Sequence, residues 1–281
     1  HQFPSDPTVT DYLIAGRAAN QLLRGRKYDE AMSAYISLTA AEKVSDLQKS
    51  DGFQYAATCA RSLRNYARAE ELAGQIPIDA VAKTVRMENL LAERKWVEVV
   101  ENFGDEDLSE WPFWQIGAGA FARAKAYVFM KQGAEAEADL QKALQYTSDT
   151  RIRTSILATM GGNRETNLMD DAGALAAYRL NYETKTRIGG ADEFRSVQRA
   201  AAILTNRGQF DAALAAIDVA DVENQTGYWR NAMLLSRGDT LRAADKKAEA
   251  LVAYEAVIAD KSVQAAHRKR AEAGVQALKP N

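Results

Sequence analysis

Proline is nearly missing from the body of this chain. Of its five prolines, Pro4, Pro7 and Pro280 lie at the ends, which leaves only Pro77 and Pro112 inside. A sequence with so few helix breakers, rich in alanine and poor in β-branched runs, favours helix nearly throughout. Hairpin signals are just as scarce, and Asp51-Gly52 is followed by a helical pattern rather than a strand. These absences leave all-α as the fitting fold class.

Other shortages exclude chemistry. Cys59 is the single cysteine, so no intrachain disulfide can form. Its neighbours Ala56, Ala57 and Ala60 mark it as a small core residue rather than a reactive thiol. His1 and His267 are the only histidines, and no Cys/His group has metal-ligand spacing, so neither a zinc site nor a histidine-driven nucleophile is expected. No glycine pattern fits a phosphate loop, and Gly117-Ala118-Gly119 reads as a close-packing pair. No cofactor is expected. No apolar run approaches the roughly 18 to 20 residues that span a bilayer. A formal net charge of -2 provides no field for nucleic acid or anionic membrane. Apolar residues at 47% and charged residues at 26% separate the chain from disordered sequences. The polar, proline-bearing start from His1 to Pro7, without a methionine, fits a processed product and slightly favours export over a cytoplasmic location.

What is present is a repeat. A small residue, a basic or glycine-containing turn, an apolar residue and then an alanine recur along the chain. The phrase runs Gly25-Arg26-Lys27-Tyr28-Asp29-Glu30-Ala31, Arg64-Asn65-Tyr66-Ala67-Arg68-Ala69 and Arg94-Lys95-Trp96-Val97-Glu98-Val99. It continues through Lys131-Gln132-Gly133-Ala134-Glu135-Ala136 and Met169-Asp170-Asp171-Ala172-Gly173-Ala174. Arg207-Gly208-Gln209-Phe210-Asp211-Ala212-Ala213 and Asp245-Lys246-Lys247-Ala248-Glu249-Ala250 complete it. Four residues past the anchoring alanine stands a large residue: Tyr35, Leu140, Tyr178, Ile217 or Tyr254. A second helical pattern precedes the anchors, in pairs such as Ala19/Leu22, Ala57/Ala60, Met87/Leu90, Ala124/Tyr127, Ala201/Leu204 and Gly238/Leu241. Each unit is therefore an antiparallel helix pair, and stability must come from stacking neighbours.

These residues resemble the tetratricopeptide repeat family over about residues 11 to 260, most closely at Lys131 to Gly133, Asn206 to Ala213 and Lys246 to Tyr254. The resemblance implies a right-handed α-α superhelix of about seven helix pairs, near one superhelical turn. It divides the chain into an N-terminal extension (1–10), the solenoid (11–260) and a capping helix with tail (261–281). The period departs from the family's: most steps are about 37 to 39 residues and one, at Pro77, about 30, against about 34. Ala15, Phe53, Lys83, Ala120, Ala158, Val197 and Leu234 stand where the family carries tryptophan. Gly161-Gly162-Asn163 falls where the first helix of the fifth unit should be continuous, which makes that unit the weakest.

Boundary signals are legible in places. Asp6 caps a helix opening at Pro7, Asp79 caps the helix after Pro77, and Ser148 or Asp149 caps the fifth unit's first helix. Ser109 or Glu110 opens the helix before Trp114, and Gly189-Gly190 ends a helix. A final helix within Ser262 to Leu278 sets Val263, Ala266, Arg270, Ala273 and Leu278 inward, with Arg268, Lys269, Glu272 and Gln276 on its polar side.

In that family the first helices line a concave groove. Counted from the anchors, the groove positions here are Asn20, Arg24, Thr58, Arg61, Glu88, Lys125, Asn163, Gln198, Asn206, Asp239 and Arg242. They form a mixed polar surface suited to an extended peptide. Asn20 matches one position of the clamp by which chaperone-binding members hold a terminal carboxylate, but Gly16 replaces its lysine, which disfavours chaperone tails. Trp111, Phe113 and Trp114 either pack between units three and four, beside a solvated acidic loop, or form a second patch exposed for a partner. The expected function is a protein- or peptide-binding scaffold without catalysis, monomeric unless its ends stack. The alternative is a helical carbohydrate-active enzyme or sugar-binding protein, using Glu98, Glu101, Asp105, Glu106, Asp107 and Glu110 beside those aromatics. Asn224-Gln225-Thr226 fits a glycosylation acceptor and carries little weight.

Overall fold

The computed structural model describes residues 7–40, 44–183 and 188–279. Asp6 and most of the expected N-terminal extension lie outside the described residues. The described residues form fifteen α-helices and no strand. They divide into two compact units, 1–147 and 148–281.

The first unit holds four helix pairs. These are α1 (Pro7–Arg24) with α2 (Tyr28–Thr39), and α3 (Asp46–Ser62) with α4 (Tyr66–Ala73). Next come α5 (Asp79–Ala92) with α6 (Trp96–Phe103), and α7 (Phe113–Phe129) with α8 (Gly133–Gln145). The second unit holds three: α9 (Thr150–Thr166) with α10 (Asp171–Tyr182), α11 (Ala191–Asn206) with α12 (Phe210–Asp218), and α13 (Gly227–Ala243) with α14 (Lys247–Ala259). Helix α15 (Ala265–Ala277) closes the last pair.

All seven anchors are wholly enclosed: Ala31, Ala69, Val99, Ala136, Ala174, Ala213 and Ala250 are each 0% exposed. Only a small side chain there lets the paired backbones approach. The turn inside each pair is the second invariant. Arg26, Arg64, Arg94, Lys131, Met169, Gly208 and Asp245 all adopt left-handed φ between 53° and 70°. The next residue's N–H then returns to the first helix, as in Asn65 N to Ala60 O at 2.9 Å and Lys246 N to Leu241 O at 2.9 Å. This satisfies carbonyls that the helix end would otherwise orphan.

Six of the seven residues holding that conformation carry a Cβ, which costs about 1 to 2 kcal/mol in the left-handed region. Arg64→Gly should therefore stabilise the chain by up to about 1 kcal/mol, after the extra unfolded-state entropy of glycine. Gly208→Ala should destabilise by a similar amount. Urea unfolding with an unchanged denaturant slope checks both, and a lowered midpoint for Arg64→Gly would contradict the turn geometry.

Several boundary expectations need correction. Asp79 does not cap α5: Ile78 holds the cap position, and Asp79 lies in the first turn, paired with Lys83 at 3.1 Å. Asp149 does cap α9, accepting from Arg151 N at 2.7 Å. Ser109 and Glu110 belong to a 3-10 turn, Leu108–Glu110, and α7 begins only after Pro112. Gly190 opens α11 rather than ending a helix, because the Glu193 carboxylate reaches back to accept from the N–H groups of Gly189 and Gly190. Helix α9 runs unbroken through Gly161-Gly162-Asn163. Gly161 is needed there, since a Cβ would drive into the Tyr178 ring. The cap helix is rotated from expectation: Ala271 is its buried residue and Val263, Val275 and Leu278 pack inward, while Ala266, Arg270 and Ala273 are exposed.

Candidate functional site

In the first unit α5 packs between α3 and α7, and this brings four expected groove residues together: Thr58 and Arg61 on α3, Glu88 on α5 and Lys125 on α7. Arg61 organises them. Its Nη2 donates to Glu88 Oε2 at 2.7 Å and to Thr58 Oγ1 at 2.8 Å, and its Nη1 to Asn89 Oδ1 at 2.9 Å. Asn89 Nδ2 passes the network on to Glu70 Oε2 at 3.2 Å, and Glu70 also accepts from Arg86 Nε at 3.0 Å. Burial lowers the Arg61 pKa, with Glu88 acting in the opposite direction.

Lys125 is different. Its Nζ sits 4.8 Å from the centroid of the Phe121 ring, one turn earlier on α7. Among the described residues it makes no hydrogen bond or ion pair. Burial lowers the pKa of its ammonium, Glu88 opposes that shift and Arg61 adds to it.

Asn20 is already engaged: the Tyr35 hydroxyl donates to its Oδ1 at 3.0 Å, and its Nδ2 donates to Gly16 O at 2.9 Å. Arg24 is exposed at the end of α1. Near Asn20, a 220 Å³ cavity is lined by Tyr12, Leu13, Arg17, Tyr35, Asp51 and Tyr55.

In the second unit Gln198, Asn206 and Asp239 line a 410 Å³ cavity together with Arg199, Thr205 and Arg270. Its charges are matched internally. Asp239 accepts from the Tyr254 hydroxyl at 2.6 Å and pairs with Arg270 of α15. Burial, then Asp239, pushes the Tyr254 pKa up to about 12. Glu165 accepts from the Tyr178 hydroxyl at 2.9 Å and pairs with Arg199 of α11. Thr205 and Thr240 share a hydroxyl contact at 2.9 Å, and Arg242 is exposed.

Asn163 does not face the groove; it is fully enclosed, with its Oδ1 accepting from Asn167 Nδ2 at 3.0 Å. The cause is one extra residue in its turn: α9 ends at Thr166 and Met169 takes the left-handed position, whereas α3 ends at Ser62 before Arg64. Counting back from Ala174 therefore lands one position late, and Gly162 is the true equivalent of Lys125. The same slip hid Glu165, which the corrected register places level with Arg61.

The aromatic patch is divided. Phe113 and Trp114 are exposed, but Trp111 is buried, its ring pressed where a Gly119 Cβ would stand. Gly117 likewise abuts the Tyr146 carbonyl, which would lie 3.0 Å from an added Cβ. The nearby carboxylates serve the fold. Glu106 pairs with Lys83 at 2.6 Å, and Asp107 caps the 3-10 turn by accepting from Ser109 N at 2.9 Å. Cys59 is buried, and burial pushes its thiol up to about 11. Among the described residues no group of His, Cys, Asp and Glu could hold a metal ion, and no helix is long and apolar enough to cross a membrane.

No protein-family model matches this chain, and no curated protein does. Solved structures do align with it. A tetratricopeptide repeat protein from Parabacteroides merdae is 11% identical over 94% of this chain and 99% of its own, with a TM-score of 0.46. The C-terminal part of a repeat-containing protein of the same kind from Cytophaga hutchinsonii is 13% identical over 95% and 96%, with a TM-score of 0.43. The TPR2AB domain of yeast Sti1, in complex with pHSP90, is 14% identical over 96% and 98%, with a TM-score of 0.35. In this chain each of the seven helix pairs carries a left-handed turn and a buried anchor.

Proposed function

We propose that the chain is a scaffold that binds a protein or peptide along the inner helices of its pairs and catalyses nothing. The observation that carries the reading is the meeting of Thr58, Arg61, Glu88 and Lys125 from α3, α5 and α7. Polar side chains rooted on three rigid helices offer both donors and acceptors to an extended backbone, at little ordering cost. The second unit, taken by itself, offers Gln198, Asn206 and Asp239 around its 410 Å³ cavity, and Arg242 is exposed. Arg24 and Asn20 extend the first surface towards α1, and Phe113 and Trp114 form a separate exposed contact without Trp111. Asn163, being enclosed, belongs to the helix-pair joint and not to this surface.

The sugar-directed alternative has less behind it. Two of its six carboxylates are committed to a salt bridge and a cap, and the first of its three aromatics, Trp111, is buried.

The test follows from which cation is free of structural duty. Arg61 ties three helices together, so its reversal confounds folding with binding. Lys125→Glu and Arg24→Glu remove no hydrogen bond described here. Selection of a random displayed-peptide library on the purified chain should enrich sequences that bind the wild type at least tenfold better than the Lys125→Glu/Arg24→Glu variant, a difference of about 1.4 kcal/mol. Thermal unfolding of both proteins separates lost binding from lost folding. Equal binding to both would place the site elsewhere, and no enrichment against either would sink the scaffold reading.

A further inference from the structure

We propose that the cavity among α1, α2 and α3 takes a basic side chain, lysine or arginine, from a bound peptide. Helices α1 and α3 both pack on α2. The 220 Å³ space they leave is lined by Tyr12, Leu13 and Arg17 of α1, Tyr35 of α2, and Asp51 and Tyr55 of α3. Its size decides the class of ligand. Pockets for whole small molecules run from about 300 Å³ upward, so this one suits a single side chain. Leu13 and Tyr55 line it while staying 55% and 43% exposed, so it is reached from solvent.

Three tyrosines in its wall favour a cation. The quadrupole of an aromatic ring attracts ammonium or guanidinium, most strongly where water is partly excluded. The rings are fixed before any ligand arrives. The Tyr12 hydroxyl donates to Gln48 O at 3.2 Å, which ties α1 to α3, and the Tyr35 hydroxyl donates to Asn20 Oδ1 at 3.0 Å. Tyr35 in turn stacks on Tyr55, with ring centroids 5.2 Å apart. Walls held in this way add little ordering cost to binding.

Asp51 supplies the counter-charge. Its carboxylate makes no hydrogen bond or ion pair among the described residues, even though Arg17 lines the same cavity. Partial desolvation raises its pKa, and its charge raises that of Tyr12. A carboxylate that has lost water without gaining a partner is stabilised by an incoming cation. Arg17, exposed on α1, opposes that cation and so sets the sign of its own substitution. The peptide as source rests on the scaffold reading; the cation site itself does not.

Four probes are titrated separately into the full chain: Nα-acetyl-lysine methylamide, its arginine counterpart, its neutral norleucine counterpart, and tetramethylammonium. The tyrosine rings are followed by NMR, with signals assigned from Tyr12→Phe and Tyr55→Phe. The two basic side-chain probes should shift the Tyr12 and Tyr55 signals with midpoints of roughly millimolar concentration, and norleucine should need at least about tenfold more. Asp51→Asn should weaken the basic probes by about fivefold or more, and Arg17→Gln should tighten them. Neither substitution removes a bond among the described residues. Basic probes that leave both signals unmoved at roughly 50 mM, or norleucine that matches them, would overturn the site. Tetramethylammonium binding tighter than both would overturn the side-chain source. Because the probes are not peptides selected on the chain, the site and the scaffold reading fail separately.

Discussion

Replacing Arg123 with alanine should cost the chain about 3 to 5 kcal/mol, the largest loss expected from any single polar substitution here. Arg123 and Asp139 form a buried, two-pronged ion pair between α7 and α8, with Nε to Oδ2 at 2.6 Å and Nη2 to Oδ1 at 2.9 Å. Their side chains are 9% and 6% exposed. Removing the guanidinium leaves the Asp139 carboxylate enclosed with no opposite charge, and that penalty dominates. Arg123 has a second duty. Its Nη1 donates to the carbonyls of Phe103, Gly104 and Glu106 at 2.9 to 3.0 Å, holding the chain as it leaves α6. Asp139→Leu alone strands the arginine but keeps those three bonds. In the double variant Arg123→Ala/Asp139→Leu the charge penalty vanishes, while the three carbonyls lose their donor. Its loss should therefore be smaller than the sum of the single losses, yet not zero. Urea unfolding of the four proteins closes this cycle. A near-neutral Arg123→Ala would mean that the pair is solvated and that the α6 exit is held by other contacts.

What could be read from the sequence was whatever repeats with a fixed spacing. Seven anchors share one steric requirement, so Ala31, Ala69, Val99, Ala136, Ala174, Ala213 and Ala250 were visible as a series, and the helix pairs followed. The left-handed residue five places before each anchor was not visible, because only Gly208 advertises that conformation. Thr58, Arg61, Glu88 and Lys125 lie on the neighbouring helices α3, α5 and α7. Asn163 failed because a single added residue in one turn rotates a helix by about 100° and leaves no compositional mark. Neither Arg123 nor Asp139 stood out, since a buried ion pair split between two helices looks like two surface charges until both are seen to be enclosed. The Gly161-Gly162 pair misled for a related reason. Glycine weakens a helix on its own, and only the partner ring on Tyr178 shows why it is required.

The same requirement predicts that Gly238→Ala, a change that favours an isolated helix by about 1 kcal/mol, should instead destabilise this chain by about 1 to 3 kcal/mol. An alanine Cβ at 238 would lie 2.6 Å from Tyr254 Cε1 and 2.8 Å from Cδ1. Such a clash is harmless where a ring can step aside. Tyr254 is confined, because Gly274 of α15 also abuts its ring, where an added Cβ would meet Cζ at 2.6 Å. Its hydroxyl is also fixed, donating to Asp239 at 2.6 Å. The ring thus abuts two glycines, on helices α13 and α15, and it is wholly buried. Either glycine, if enlarged, must push the capping helix outward or turn the ring from its hydrogen bond. Gly274→Ala should accordingly cost about as much as Gly238→Ala, and the two together less than their sum once α15 has shifted. Tyr254→Leu is costly alone, since it leaves a void, but should relieve most of the Gly238→Ala penalty because the clashing atoms are gone. Thermal unfolding of the single and double variants, with hydrogen exchange followed in α15, gives the measurement. If Gly238→Ala raises the unfolding temperature, helix propensity outweighs packing at this site, and the glycine is not there to seat the ring.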